Sequence, residues 1–167
     1  SKLSHFHFTS SEDARNRLIR MGENKERVWN VGAPGLTDIG KLQILKKNWL
    51  EVQFGLKALD TKIILIFHPV FYEHHLIKSQ IEKIAELLKN KRCYGLIFLP
   101  NSDAGGNILE SEFSQLFDTQ NFHFIKNIDR EKYVTYLANV DLMVGNSSSG
   151  IIETASTGTP CLNLGSR

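Results

Sequence analysis

The sequence predicts an α/β fold built on a doubly wound, Rossmann-like parallel sheet. Apolar runs of strand length alternate with amphipathic helical segments along nearly the whole chain, as they do in successive βαβ units. The run 62–67 is almost wholly apolar, which is typical of a parallel strand covered on both faces. The strands end in loops rich in Gly, Pro and polar residues, where function concentrates in such folds.

Each element has a local signature. The first strand is predicted at 5–8, and a Ser-rich cap at 9–12 introduces a helix over 13–21 that ends at Gly22. The periodicities of two and 3.6 residues place the remaining strands at 28–31, 62–67, 95–99, 122–125, 141–144 and after Pro160. The same patterns place helices at about 42–59, 73–90, 108–117, 133–139 and directly after Gly150.

Composition excludes several function classes. The 167 residues carry 20 basic and 18 acidic side chains, and this balance argues against a nucleic-acid partner. No apolar run approaches membrane-spanning length, so no membrane contact is expected. Cys93 and Cys161 stand alone in strand-like runs, which predicts free thiols in a reducing compartment. The predicted location is therefore the cytoplasm.

Residues 145–153 (Gly-Asn-Ser-Ser-Ser-Gly-Ile-Ile-Glu) form the most informative motif. A strand, a tight turn of small residues and a helix start together suit a phosphate, because unpaired N–H groups and hydroxyls face the anion. Glu153, about one helical turn further on, suits the hydroxyls of a sugar. The motif predicts a nucleotide or nucleotide-sugar site; the alternative is that the serines only cap a helix.

Other candidate residues follow the predicted strand ends. His68 lies at the tip of the run 62–67, where it could act beside a diphosphate or simply bond to a backbone carbonyl. Asn101 is expected to form a turn or to contact a substrate amide or hydroxyl, and Asp103 to cap a helix or to contact a sugar hydroxyl. Arg167 is placed to neutralise a diphosphate. No metal site is predicted. The loops expected to meet at one edge of the sheet are 32–35, 68–70, 100–106, 145–150 and 165–167.

Several of these motifs, in this order and spacing, closely resemble the hydrolysing UDP-N-acetylglucosamine 2-epimerases, and the resemblance covers essentially the whole chain. The segments that carry it are 21–24, 32–35, 68–70, 100–106, 145–153 and 158–167.

The resemblance implies the C-terminal half of a two-domain GT-B fold. Residues 1–26 would be the last strand and helix of the N-terminal domain, and 27–167 a UDP-binding domain that is truncated at its end. We expect a piece of a longer protein, because the chain ends directly after a strand. Its partners would be a UDP-sugar, the missing N-terminal domain and further copies of itself, with no cofactor.

By the same resemblance, Ser147, Ser148 and Gly150 would hold the phosphates, Glu153 the ribose hydroxyls and Arg167 the UDP. His68 would be the catalytic histidine near the diphosphate. The implied reaction eliminates UDP as a proton leaves C2 and then adds water to the glycal, with carboxylates supplied by the missing domain. The alternatives are the donor domain of a GT-B glycosyltransferase and a non-catalytic nucleotide-sugar binding module.

Overall fold

The computed structural model describes most of the chain, with several gaps. The described residues are 3–37, 39–41, 48–56, 61–69, 75–89, 93–99 and 106–165. They fall into two compact units, Ser1–Lys41 and Leu42–Arg167. The domain boundary after residue 26 stays a prediction.

The first unit is built around two parallel strands, β1 (His7–Thr9) and β2 (Val28–Asn30). Between them in the chain lies helix α1 (Glu12–Arg20), and the Ser11 hydroxyl caps it by accepting the Ala14 N–H at 3.2 Å, as the sequence predicted. Alternate strand residues face opposite sides of the small sheet. His7, Thr9 and Val28 are buried, whereas Phe6, Phe8 and Trp29 are exposed and contact one another.

The second strand of this unit does not extend the larger sheet. The loop 32–35 follows β2, and β2 pairs with β1 and not with the larger sheet. The expected meeting of this loop with the other strand-end loops stays a prediction. Strands β1 and β2 thus form a sheet of their own.

The second unit is a five-stranded parallel sheet with the order β5-β4-β3-β6-β7. Its strands are β3 (Thr61–Ile66), β4 (Cys93–Phe98), β5 (Phe122–Ile125), β6 (Leu142–Gly145) and β7 (Cys161–Asn163). Its helices are α2 (Trp49–Phe54), α3 (Ile77–Lys89), α4 (Gly106–Leu116), α5 (Arg130–Asn139) and α6 (Glu153–Thr157).

Helices cover both faces of this sheet, which explains why β3 is apolar throughout. Ile63 and Leu65 pack with residues of α3 and α4, whereas Ile64 and Ile66 pack with residues of α2 and α5. The predicted doubly wound arrangement is therefore confirmed.

Most boundaries agree with the sequence patterns, and α2 is one of the exceptions. The predicted helix at 42–59 ends early among the described residues, at Phe54. Gly55 follows with φ of 65°, a left-handed conformation that terminates helices. Within the described residues, no helix is long and apolar enough to cross a membrane.

Candidate functional site

The candidate site lies at the carboxyl edge of the five-stranded sheet, between β3 and β6. From β3 the chain builds outward to β4 and β5, and then returns to the other side of β3 to add β6 and β7. The strand order reverses at this point, and ligands of open α/β sheets bind in the crevice that such a reversal creates.

A pair of hydrogen bonds joins the tips of these two strands. The backbone N–H of His68 donates to Oδ1 of Asn146, and Nδ2 of Asn146 donates to the His68 carbonyl, both at 2.7 Å. Asn146 is only 5% exposed, so both bonds are sheltered from water. Its amide therefore fixes the backbone of His68, whose side chain is half-buried at the mouth of the crevice.

Gly145 allows β6 to approach β3 at the same point. Its φ of 146° is uncommon for residues with side chains. A Cβ added to this glycine would lie 1.8 Å from the carbonyl oxygen of Ile66, which leaves no room for alanine. The Asn146 N–H donates to that same carbonyl at 3.1 Å. The requirement for glycine here is set by backbone packing.

The serine turn, residues 147–150, follows immediately. A 3₁₀ turn spans Ser148–Gly150, and the Ser147 hydroxyl caps it by accepting the Ser149 N–H at 3.3 Å. Helix α6 begins only at Glu153, whereas the sequence predicted a helix straight after the turn. Serine and glycine are poor helix formers, and this composition favours a tighter turn before the α-helix.

The serines differ in their exposure. Ser148 is exposed, Ser147 is half-buried and Ser149 is buried. Because the Ser147 oxygen already accepts a bond from within the turn, its hydroxyl proton can be donated outward. Gly150 lets the turn pack against β7, since a Cβ there would lie 2.5 Å from Sγ of Cys161. Two hydroxyls are thus available at the surface of a tightly packed turn.

Glu153 carries the most informative atom of the site. Its Oε2 is buried and has no hydrogen-bond partner within the part of the chain that the structure describes. Among the described residues, no ion pair includes this carboxylate. A buried carboxylate oxygen with no partner is costly, and such groups are concentrated at sites that bind a ligand. A ligand hydroxyl would supply the missing bond.

Tyr133 of α5 reaches the same turn, and its hydroxyl is hydrogen-bonded to the Ser149 hydroxyl. Burial raises the pKa of Tyr133 to about 12, against the lowering effect of the Ser149 bond, and the negative charge of Glu153 adds to the rise. Tyr133 is therefore a neutral hydroxyl at physiological pH, next to the acid.

The structure brings together some of the residues predicted from sequence. His68 lies on the loop after β3, the turn after β6 carries Ser147, Ser148 and Gly150, and Glu153 begins α6 directly after that turn. Asn101, Asp103 and Arg167 lie outside the described residues. Over the part of the chain that is described, no cluster of three metal-ligating side chains occurs.

Sequence reasoning missed two residues of this site. Asn146 lies inside the motif that was singled out, and its position directly after a strand glycine could have indicated a link to the neighbouring strand tip. Tyr133 gave no such signal, because a tyrosine on a helix is normally a core residue and its proximity to Ser149 depends on the fold.

Comparisons with known proteins agree with this architecture. The family model described as UDP-N-acetylglucosamine 2-epimerase matches residues 1–167. A UDP-N,N'-diacetylbacillosamine 2-epimerase (hydrolyzing) of Legionella pneumophila is 39% identical, over 100% of this chain and 44% of its own length. A GDP/UDP-N,N'-diacetylbacillosamine 2-epimerase (hydrolyzing) of Campylobacter jejuni is 36% identical, with coverage of 100% and 44%. The chain thus spans less than half the length of these relatives.

Solved structures agree on the fold. The UDP-GlcNAc 2-epimerase of Neisseria meningitidis, solved with UDP-GlcNAc bound, superposes with a TM-score of 0.71 at 21% identity, over 99% of this chain and 46% of that chain. The predicted fold class, a Rossmann-like domain of the kind that forms the C-terminal half of GT-B proteins, is confirmed. Together with the family match over the full chain, this shows that the chain belongs to the UDP-N-acetylglucosamine 2-epimerase family.

Proposed function

We propose that this chain forms the UDP-binding half of a hydrolysing UDP-sugar 2-epimerase. The observation that carries the proposal is the buried, unpartnered Oε2 of Glu153, five residues after an exposed serine at the point where the strand order reverses. A nucleoside diphosphate offers anionic oxygens to the serines and a ribose diol to the acid, so it matches both features.

The phosphates are assigned to the serine turn. Ser147 has a hydroxyl proton free to donate, and Ser148 is exposed. Gly150 contributes by keeping the turn close to β7. Glu153 receives the ribose hydroxyls, which are donors and satisfy a carboxylate without adding charge.

The remaining assignments rest on the family pattern. His68 acts near the diphosphate, where a proton or a positive charge helps the leaving group depart. Arg167 counters the diphosphate charge, and Asn101 and Asp103 contact the sugar. Asn146 is a positioning residue, because it holds the backbone of His68.

The proposed reaction has two steps. The C1–O bond breaks and its electron pair leaves with UDP, while a proton is lost from C2 and a C1–C2 double bond forms. Water then adds across that double bond, with hydroxyl at C1 and hydrogen at C2, which inverts C2 and releases a free sugar. The acid and base that move the C2 proton are assigned to the other half of the protein, so this chain alone binds but does not turn over.

The sugar is an acetamido sugar on UDP. The two relatives described above are named for diacetylbacillosamine, and a third, 31% identical and from Neisseria meningitidis, is named a UDP-N-acetylglucosamine 2-epimerase. Both sugars are therefore candidates. Cytoplasmic location and homo-oligomeric assembly belong to the same proposal.

The binding half of the proposal is tested by calorimetric titration of the 167-residue chain with UDP, and with GDP and CMP for comparison. Wild type is expected to bind UDP. Glu153→Gln is expected to lose roughly tenfold in affinity or more, because a charge-assisted hydrogen bond is lost, and Ser148→Ala to lose less. Glu131→Gln and Ser156→Ala, exposed changes of the same types, serve as matched controls that leave the affinity unchanged.

The chemical half needs the chain joined to the other half of its protein. Incubation with each UDP-acetamido sugar is expected to yield UDP and a free sugar epimerised at C2. Sugar transfer that depends on an acceptor would instead identify a glycosyltransferase. Binding without any turnover would favour a nucleotide-sugar binding module. Absence of UDP binding by the 167-residue chain would contradict the assignment of Glu153 and the serines.

A further inference from the structure

We propose that Tyr133 is a positioning residue for the diphosphate, and that its bond to Ser149 holds the serine turn in the shape that presents Ser147 and Ser148 to the ligand. The proposal rests on the function assigned above to the same turn. It concerns a residue on α5, an element that carries no other part of the site.

A continuous chain of hydrogen bonds connects Tyr133 to the ligand-facing serine. The Tyr133 hydroxyl is bonded to the Ser149 hydroxyl, and the Ser149 N–H donates to the Ser147 hydroxyl oxygen at 3.3 Å. Ser149 is 8% exposed, so its side chain is directed into the protein and cannot serve the ligand itself. Its function is therefore to connect the turn to α5.

Tyr133 is itself held firmly. Its ring meets Phe98 edge to face, with centroids 5.4 Å apart and planes at 87°. Its backbone lies in the first turn of α5, where the Tyr133 N–H donates to the Asp129 carbonyl at 3.0 Å and the Asp129 side chain accepts the Lys132 N–H at 2.8 Å. A hydroxyl carried by a capped helix and a packed ring is a rigid support for a short turn that is rich in serine and glycine.

The surroundings also keep this hydroxyl protonated. Burial and the neighbouring Glu153 charge both favour the neutral phenol, so the hydrogen bond to Ser149 persists across the physiological pH range. A phenolate here would add negative charge beside a site for phosphates. The neutral phenol lets the turn be anchored without repelling the ligand.

The test compares two tyrosines of the same helix. Tyr133→Phe keeps the ring against Phe98 and removes only the hydroxyl. Tyr136→Phe is the matched control, since Tyr136 is also a buried residue of α5 and its hydroxyl makes no hydrogen bond with the described residues. UDP affinity of the 167-residue chain is expected to fall roughly three- to tenfold in Tyr133→Phe and to stay within twofold of wild type in Tyr136→Phe.

Two further measurements separate positioning from general stability. Ser149→Ala and the Tyr133→Phe/Ser149→Ala double variant are expected to weaken UDP binding no more than Tyr133→Phe does alone, because all three break the same link. Without ligand, the amide NMR signals of residues 147–149 are expected to shift in Tyr133→Phe and to stay in place in Tyr136→Phe.

Each outcome decides the proposal. Wild-type affinity in Tyr133→Phe would overturn it and leave the UDP site intact. Equal losses in both tyrosine variants, or additive losses in the double variant, would overturn it in favour of a general effect of the helix. Absence of UDP binding by wild type would overturn the proposed function and this proposal together.

Discussion

The two edges of the five-stranded sheet both hold partly buried carboxylates, and they differ in what compensates the charge. At the amino edge, Nζ of Lys62 lies 3.0 Å from Oε1 of Glu51 and 3.7 Å from Oδ2 of Asp141. The Lys62 side chain is only 7% exposed, so this is a buried cation between two acids. At the carboxyl edge, Glu153 has no cation among the described residues.

The comparison is informative because the two glutamates are otherwise alike. Glu51 and Glu153 each have one buried oxygen that makes no hydrogen bond with the described part of the chain. The difference is therefore the lysine. An acid whose charge is compensated inside the chain belongs to the fold, whereas an acid left without a cation is available to a ligand. We use this contrast to propose which glutamate is structural and which is functional, where the sequence shows only glutamates.

The largest expected effect comes from removing the cation of the amino edge. Lys62→Met should lower the free energy of unfolding by about 3 kcal/mol, because Glu51 is then left charged and uncompensated. Urea unfolding at pH 7 measures the change. Adding Glu51→Gln should restore part of the loss, since the uncompensated charge is removed.

An exposed pair provides the control for that variant. Lys126 lies 2.5 Å from Glu110 and is 67% exposed, so Lys126→Met should change the unfolding free energy by no more than about 0.5 kcal/mol. If Lys62→Met were as mild as this, the amino edge would not depend on its ion pairs and the contrast between the two edges would fail.

At the carboxyl edge, removing a charge is expected to raise the free energy of unfolding rather than lower it. Glu153→Gln should raise the unfolding free energy of the ligand-free chain by about 1 kcal/mol, because it removes a charge that nothing in the described structure compensates. The same variant is expected to lose UDP affinity, as proposed above. A fall in stability of similar size would instead give Glu153 a structural role.

The smallest effect is a dependence on alkaline pH. The pKa of Tyr133 is about 12 in the folded chain, chiefly because of burial, and about 10 in an unfolded one. The folded state thus holds the proton more tightly, so this stability is fully present below about pH 10 and is lost as pH rises towards 12.

At about pH 10.5, relative to neutral pH, wild type should therefore lose roughly 0.7 kcal/mol more unfolding free energy than Tyr133→Phe, which has no proton to lose. Urea unfolding of both chains at the two pH values measures this difference. Equal losses would mean that Tyr133 is not shielded from water at the carboxyl edge.

Much of the fold follows from local patterns, and the exceptions have physical causes. The apolar run at β3 and the helical face of α3 can be recognised from the sequence. The apolar residues of β3 are all buried, and the buried residues Ile77, Ile81 and Ile84 of α3 recur at helical spacing. The pairing of β2 with β1 cannot be predicted from the sequence, because a three-residue strand carries no information about its partner. The helix containing Trp49 was predicted too long, since Gly55 could have been either an interior residue or a cap.

The candidate site also contains residues that local sequence patterns identify and contacts that they do not. Its serines and Glu153 lie within one contiguous motif, so they can be found from the sequence alone. The link between His68 and Asn146 joins residues 78 positions apart, and the link between Tyr133 and Ser149 crosses from one helix to a neighbouring loop. Such pairs are determined by tertiary packing, and the periodicity of a single segment gives no information about it.

The amide of Asn146 gives the crevice a built-in reporter. The backbone N–H of His68 is protected by a side chain, whereas the N–H groups within β3 are protected by neighbouring strands. The rate at which the His68 N–H exchanges with deuterium therefore depends on local opening of the Asn146 hydrogen bond rather than on unfolding of the sheet. A nucleotide that tightens this end of the molecule would slow exchange at that single amide while the core strands keep their own rates. Occupancy could then be followed at one backbone position, without a label on the ligand.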